Sequence, residues 1–160
     1  MRKILMLAAA AAFALGGFLA SCAAQAKPVS ESAAVGAYQV TLKVLPAESF
    51  TGKSEEMVWD GGARPVLLGA KSQPNHHLVV FVKKDGKPVE SATIRIRYRM
   101  LGNAGASWQT LPVTRMYVKG KGKPTMHYGN NLHLAPGKYE AKVQVGNAPA
   151  HVFHFTLGSD

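Results

Sequence analysis

Cysteine is nearly absent from this chain. Cys22 is the only one in 160 residues, so an intramolecular disulfide is excluded. Because Cys22 closes an N-terminal apolar segment and is expected to be consumed there by lipid, the domain also has no thiolate for a zinc site or for a blue-copper centre, which needs a cysteine sulfur on the metal. Acids are scarce as well: 9 Asp and Glu stand against 19 Lys and Arg, a formal net charge of +10. The few carboxylates are scattered, with Glu55-Glu56 and Asp60 in one polar stretch beside Trp59 and Asp85 in a turn. No pair of them is placed for acid–base work. Gly-x-Ser-x-Gly, His-Glu-x-x-His and phosphate-binding glycine loops are missing, and the chain reads as a binding protein rather than an enzyme. No apolar run reaches the ~20 residues of a comfortable membrane-spanning helix. A soft metal site would have only histidine and methionine to draw on.

What is present starts with a basic pair, Arg2-Lys3, and an apolar stretch from Ile4 to Ala20 loosened by Gly16-Gly17. That is the pattern of a secretory signal segment. It ends at Leu19-Ala20-Ser21-Cys22, which resembles the lipobox of bacterial lipoproteins, where cleavage leaves the cysteine as first residue with fatty acids on its sulfur and amine. The alternative is ordinary cleavage after Ala24-Gln25-Ala26, which has the small-x-small pattern. A lone cysteine at that spot favours lipidation. Each buried acyl CH₂ contributes ~0.8 kcal/mol, so several chains anchor firmly. The expected organisation is a signal peptide over 1–21, lipidated Cys22 and a flexible tether over 22–35, and one domain over 36–160. Ala23 stands where an Asp would retain such a lipoprotein at the inner membrane, so the resemblance favours a periplasmic protein anchored to the outer membrane. About 140 residues remain after cleavage, enough for a real core. Their basic balance suits anionic lipid headgroups or an acidic partner; nucleic acid is not an expected partner outside the cytoplasm.

From Gly36 onward, alternation broken by Gly, Pro and Asn signals strands rather than helices. Expected strands are Tyr38 to Leu45, a short one over Pro65 to Ala70, and His77 to Lys83, whose nearly continuous apolar run suits a central strand buried on both faces. Asp85-Gly86 closes a hairpin. Thr93 to Met100 alternates, with Ile94, Ile96, Tyr98 and Met100 on one face and Arg95, Arg97 and Arg99 on the other. The arginine stripe reads as a solvated sheet face. Trp108 to Lys119 is extended and bent at Pro112, Gly120 to Pro124 is a basic turn, and Leu132 to Leu134 is a short strand. Lys138 to Val145 and His151 to Leu157 complete the set. Seven to nine short strands predict an all-β fold, an immunoglobulin-like β-sandwich.

Met116 to His133 is the richest candidate region. Met116, Met126 and His127 are soft or borderline donors around one turn, and Tyr128-Gly129-Asn130-Asn131 is expected as a sharply turning loop that holds the imidazole at the sandwich rim. A thioether favours Cu(I), and imidazole accepts copper, zinc or iron. Of His76 and His77, adjacent strand residues facing opposite ways, only one can join such a site. His133, His151 and His154 read as surface residues.

His77-Leu78 opening a buried strand, then Met116, then His127-Tyr128-Gly129-Asn130-Asn131 before Leu132-x-Leu134-x-Pro136-Gly137-x-Tyr139, resembles the periplasmic iron-transport lipoprotein family. The resemblance implies an immunoglobulin-like sandwich, a copper or iron ion near the His-Tyr-Gly segment, a homodimer, and work beside an inner-membrane metal permease. It implies His77, Met116 and His127 as ligands, with Met126 adjacent. The chain has Val79 and Lys123-Pro124-Thr125-Met126 where the family carries acids. A His/Met-only site suits copper better than iron.

Overall fold

The computed structural model describes residues 29–50, 57–69, 73–102 and 105–158. The expected signal segment and Cys22 lie outside the described residues. Eleven strands are described: β1 (Val29–Val35), β2 (Tyr38–Pro46), β3 (Met57–Gly62), β4 (His76–Lys84), β5 (Lys87–Pro88), β6 (Ile94–Met100), β7 (Gln109–Leu111), β8 (Thr114–Val118), β9 (His127–Leu132), β10 (Gly137–Val145) and β11 (His151–Leu157), with one 3₁₀ turn at Lys123–Thr125. They form two antiparallel sheets. The larger runs β1-β2-β4-β9-β8-β3, with β5 paired to β4; the smaller runs β11-β10-β6-β7. The molecule is an all-β sandwich, as the alternation predicts.

The core lies between the sheets. From the large sheet it takes Val40, Leu42 and Val44 of β2, Leu78, Val80 and Val82 of β4, and Tyr128 of β9; from the small sheet it takes Ile94, Ile96, Tyr139, Ala141, Val143, Phe153 and Phe155. These are every second residue of their strands, as the two-residue side-chain period requires. Tyr139 stacks on Phe155 with ring centres 5.3 Å apart. The Asp85-Gly86 turn takes positive φ at both residues (51° and 76°), the type I′ geometry that matches strand twist.

Several boundaries differ from expectation. Residues 29–35 are not a tether but an edge strand, paired in register from Val29↔Val44 to Val35↔Tyr38. Its exposed Ser30, Glu31 and Ser32 hide the pattern, because an edge strand buries little of itself. The stretch from Pro65 is irregular, and Val66 N–H bonds to a side chain, Asn130 Oδ1 (2.7 Å), instead of a neighbouring strand. The polar stretch just before it supplies β3. At Pro112-Val113 the chain leaves the small sheet after β7 and enters the large one as β8, which the expected bend foreshadowed. The largest difference is β9: the glycine- and asparagine-rich segment expected as a loop is a strand buried at all six positions, lying between β4 and β8. Gly129 permits this. A Cβ there would run into the Leu78 carbonyl oxygen and Val79 Cα, so only glycine lets β9 approach β4 so closely.

Candidate metal site

The alternation that sends Leu78 and Val80 into the core sends His77, Val79 and Phe81 to the other face of β4. Their neighbours there are Asn131 and Gly129 of β9, opposite His77 and Val79, and Leu45, Lys43 and Thr41 of β2. His127 of β9 and Met116 of β8 are directly paired, and Trp59 of β3 is paired to Met116 on its far side. Directly opposed residues hold their Cβ atoms ~4.5–5.5 Å apart. An outward sheet face is ordinarily wet. Here His77, Val79 and Met116 have no solvent exposure and His127 only 2%, although Val79 and Met116 stand outside the inter-sheet core.

The cover comes from the described chain around Glu48 to Phe50 and Arg64 to Val66, held down by two asparagines. Asn131 Nδ2 donates to Glu48 O (2.7 Å) and Val66 O (2.8 Å), and its Oδ1 accepts from Glu48 N–H (3.0 Å). Asn130 Nδ2 donates to Arg64 O, Pro112 O and the Thr114 hydroxyl. Phe50, from the same cover, sets its ring edge-on to His77 at 6.4 Å. Carboxamides on a central strand thus bind backbone groups that the sheet ladder cannot reach.

These bonds also fix the histidine tautomers. Asn131 Nδ2 faces two carbonyls and must donate, so Oδ1 is the acceptor for His77 Nδ1–H at 2.8 Å. His127 Nδ1 lies 2.8 Å from Thr125 O, and a carbonyl only accepts, so this nitrogen carries the proton too. Thr125 is itself fixed: its hydroxyl donates to Gly122 O (2.7 Å) and accepts from Val118 N–H (2.9 Å). Each ring is therefore oriented through Nδ1, leaving Nε2 as its lone-pair nitrogen, the arrangement that metal-ligating histidines use. The rings stand nearly perpendicular, 87°, with centres 5.8 Å apart. Two imidazoles sharing an ion through ~2 Å metal–nitrogen bonds have centres roughly 5–6 Å apart.

His77 Nε2 is buried and has no hydrogen-bond partner among the described residues. Leaving such an atom unsatisfied costs about 1–3 kcal/mol, and native structures rarely keep one without a use. Burial pushes the His77 pKa down to about 4, helped by the neighbouring His127 and opposed by the Asn131 hydrogen bond. Burial lowers His127 as well, against the bond to Thr125 O. Both rings are neutral at pH 7, as ligands must be.

Of the four residues expected as ligands, His77, His127 and Met116 share this covered face. Met126 does not: it belongs to the inter-sheet core with Tyr128, one residue out of phase with His127. His76 is half-buried and bonds Asn75 Oδ1 through Nδ1 (2.8 Å). His133 and His154 are exposed and His151 half-buried. Among the described residues no three His, Cys, Asp or Glu side chains cluster for a metal, so a third donor here has to be the Met116 thioether. Sequence reading took Asn130 and Asn131 for turn formers and missed that they pin the cover. Two carboxamides in a segment flanked by apolar residues were the available signal.

No family model and no curated protein matches the chain, so the iron-transport resemblance gains no support from either. One solved structure, a DUF4426 family protein from Pseudomonas aeruginosa PAO1, is similar at 17% identity with a TM-score of 0.44, covering 82% of this chain and 96% of that one.

Proposed function

We propose that this protein is a membrane-tethered periplasmic metal-binding protein that holds a soft ion, copper in its cuprous state, between His77 and His127 with Met116 as third donor, in support of metal uptake or homeostasis. The carrying observation is the Nε2 of His77, buried and without a hydrogen-bond partner among the described residues, beside a second imidazole whose Nδ1 is likewise committed. Two neutral imidazoles and a thioether bring no negative charge, which suits a monovalent soft cation. Ferrous iron with oxygen ligands is the weaker alternative, since among the described residues no carboxylate accompanies the histidines. The tether is the expected lipid on Cys22.

Metal content of the purified protein under reducing conditions tests the reading. The expected result is copper near one per chain, lost in His77→Ala and in His127→Ala and retained in His133→Ala and His154→Ala. Met116→Leu, close in volume and tolerated by packing, should weaken binding without unfolding the domain. Uniform small losses across all the histidine variants would mean adventitious surface binding. A wild-type protein without copper would leave the second reading, a protein-interaction module, for which Trp59, Leu67 and Leu68 offer exposed apolar contacts of 49%, 46% and 47%.

A further inference from the structure

The outer face of the small sheet is unlike the covered face of the large one. Arg95, Arg97 and Arg99 of β6 point outward, opposite the buried Ile94 and Ile96. Beside them on β10 stand Lys138 and Lys142, the latter in register with Arg97. Alternate residues on a strand lie ~6.5–7 Å apart and neighbouring strands ~4.8 Å, so the five cations form a compact two-strand array. The acid among them is Glu140, and it is taken by Arg99, whose Nη2 lies 2.7 Å from its carboxylate. Trp108 sits within the array, with Arg99 4.5 Å and Lys142 4.6 Å from its ring centre. Solvated faces of stable sheets ordinarily mix charge signs, because like charges directly opposed repel. This face keeps the repulsion.

We propose that the outer face of β6 and β10 docks on an anionic lipid headgroup surface. Charge complementarity is the first reason, since a cation near such a surface gains ~1 kcal/mol from its potential, about fivefold in partition per residue. Trp108 is the second: an amphipathic ring among cations suits the headgroup level, where tryptophan is enriched. The third is continuity. β1, the first described strand, begins at Val29, seven positions after Cys22, and packs against β11, the edge strand of this sheet. An anchored chain therefore presents this sheet's edge on the side from which it is held. An acidic protein partner would fit the charge but not the last two observations. The proposal is independent of metal binding.

The test is co-sedimentation of the full chain carrying Cys22→Ser, so that no acyl group contributes, with vesicles of phosphatidylcholine alone or mixed with phosphatidylglycerol. Partition should be markedly stronger to the anionic vesicles and fall with salt. Replacing Arg95, Arg97 and Lys142 by Gln together should reduce the anionic preference about a hundredfold. The same change at Lys83, Lys84 and Lys87, exposed around the β4–β5 hairpin of the other sheet, should leave it within about twofold. Circular dichroism confirms that both triple variants keep their β structure. Equal partition to both vesicle types would overturn the proposal. So would equal losses in the two triple variants, which would mean attraction by net charge rather than by this face.

Discussion

His77 shows how one buried side chain sets a pH dependence of stability. In the folded protein its pKa is about 4, while in the unfolded chain it returns to ~6.5. Between those values the unfolded state binds a proton that the folded state refuses, so stability falls as pH drops through that window. A displacement of this size corresponds to on the order of 3 kcal/mol, and the lowered His127 acts in the same direction. Urea midpoints of the metal-free protein should decline from pH 7 toward pH 4 and then level as far as His77 is concerned. His77→Gln should flatten most of that slope, and an unchanged slope in this variant would show that His77 is not the buried neutral base described. With the His77 pKa at about 4, proton competition with a metal at that ring begins only as pH falls toward 4, not near the ordinary histidine value of ~6.5.

At the scale of the element, parity governs both the core and the site. On β6, Ile96 has no solvent exposure and Arg97 is exposed. Ile96→Asp would place an unpaired carboxylate between the sheets and should cost several kcal/mol, roughly 3–5. Arg97→Asp should shift the midpoint of thermal unfolding little; comparable losses at both positions would mean that the register of β6 is wrong. Such strands were legible in the sequence because every second residue is apolar. The central strand β4 was legible by its continuous apolar run. β9 was not, since His127, Gly129, Asn130 and Asn131 are turn formers by type, and their burial depends on partners far along the chain. The cover was illegible for a related reason: the groups that hold it, Glu48 O, Arg64 O and Val66 O, are backbone carbonyls that every residue carries. His77, Met116 and His127 were legible as a set by chemistry, yet a one-residue offset, invisible without the register, put Met126 into the core instead.

At the scale of the whole molecule, the sandwich treats its two outer faces in opposite ways. The small sheet turns Arg95 and Arg97 to solvent, whereas the outer face of the large sheet is covered by the chain around Glu48 to Phe50 and Arg64 to Val66, and the candidate site lies under that cover. An ion held by β4, β8 and β9 would cross-link three strands that already neighbour one another, so it should not change the fold. It should change its persistence. Binding to the native state alone stabilises by RT ln(1 + [L]/Kd), about 2.7 kcal/mol at a free ion concentration about 100 times Kd. For a domain of this size that corresponds to a rise of roughly 5–15 °C in Tm. Differential scanning fluorimetry with cuprous ion held under reducing conditions should show this rise for the wild-type protein. His127→Ala should show none, although it removes no residue of the inter-sheet core. Met116→Leu should give an intermediate rise that grows with ion concentration, because two imidazoles remain. An equal rise in all three proteins would place the ion elsewhere on the surface. A fall in wild-type Tm would mean that copper prefers the unfolded chain, and the covered histidine pair would then not be a metal site.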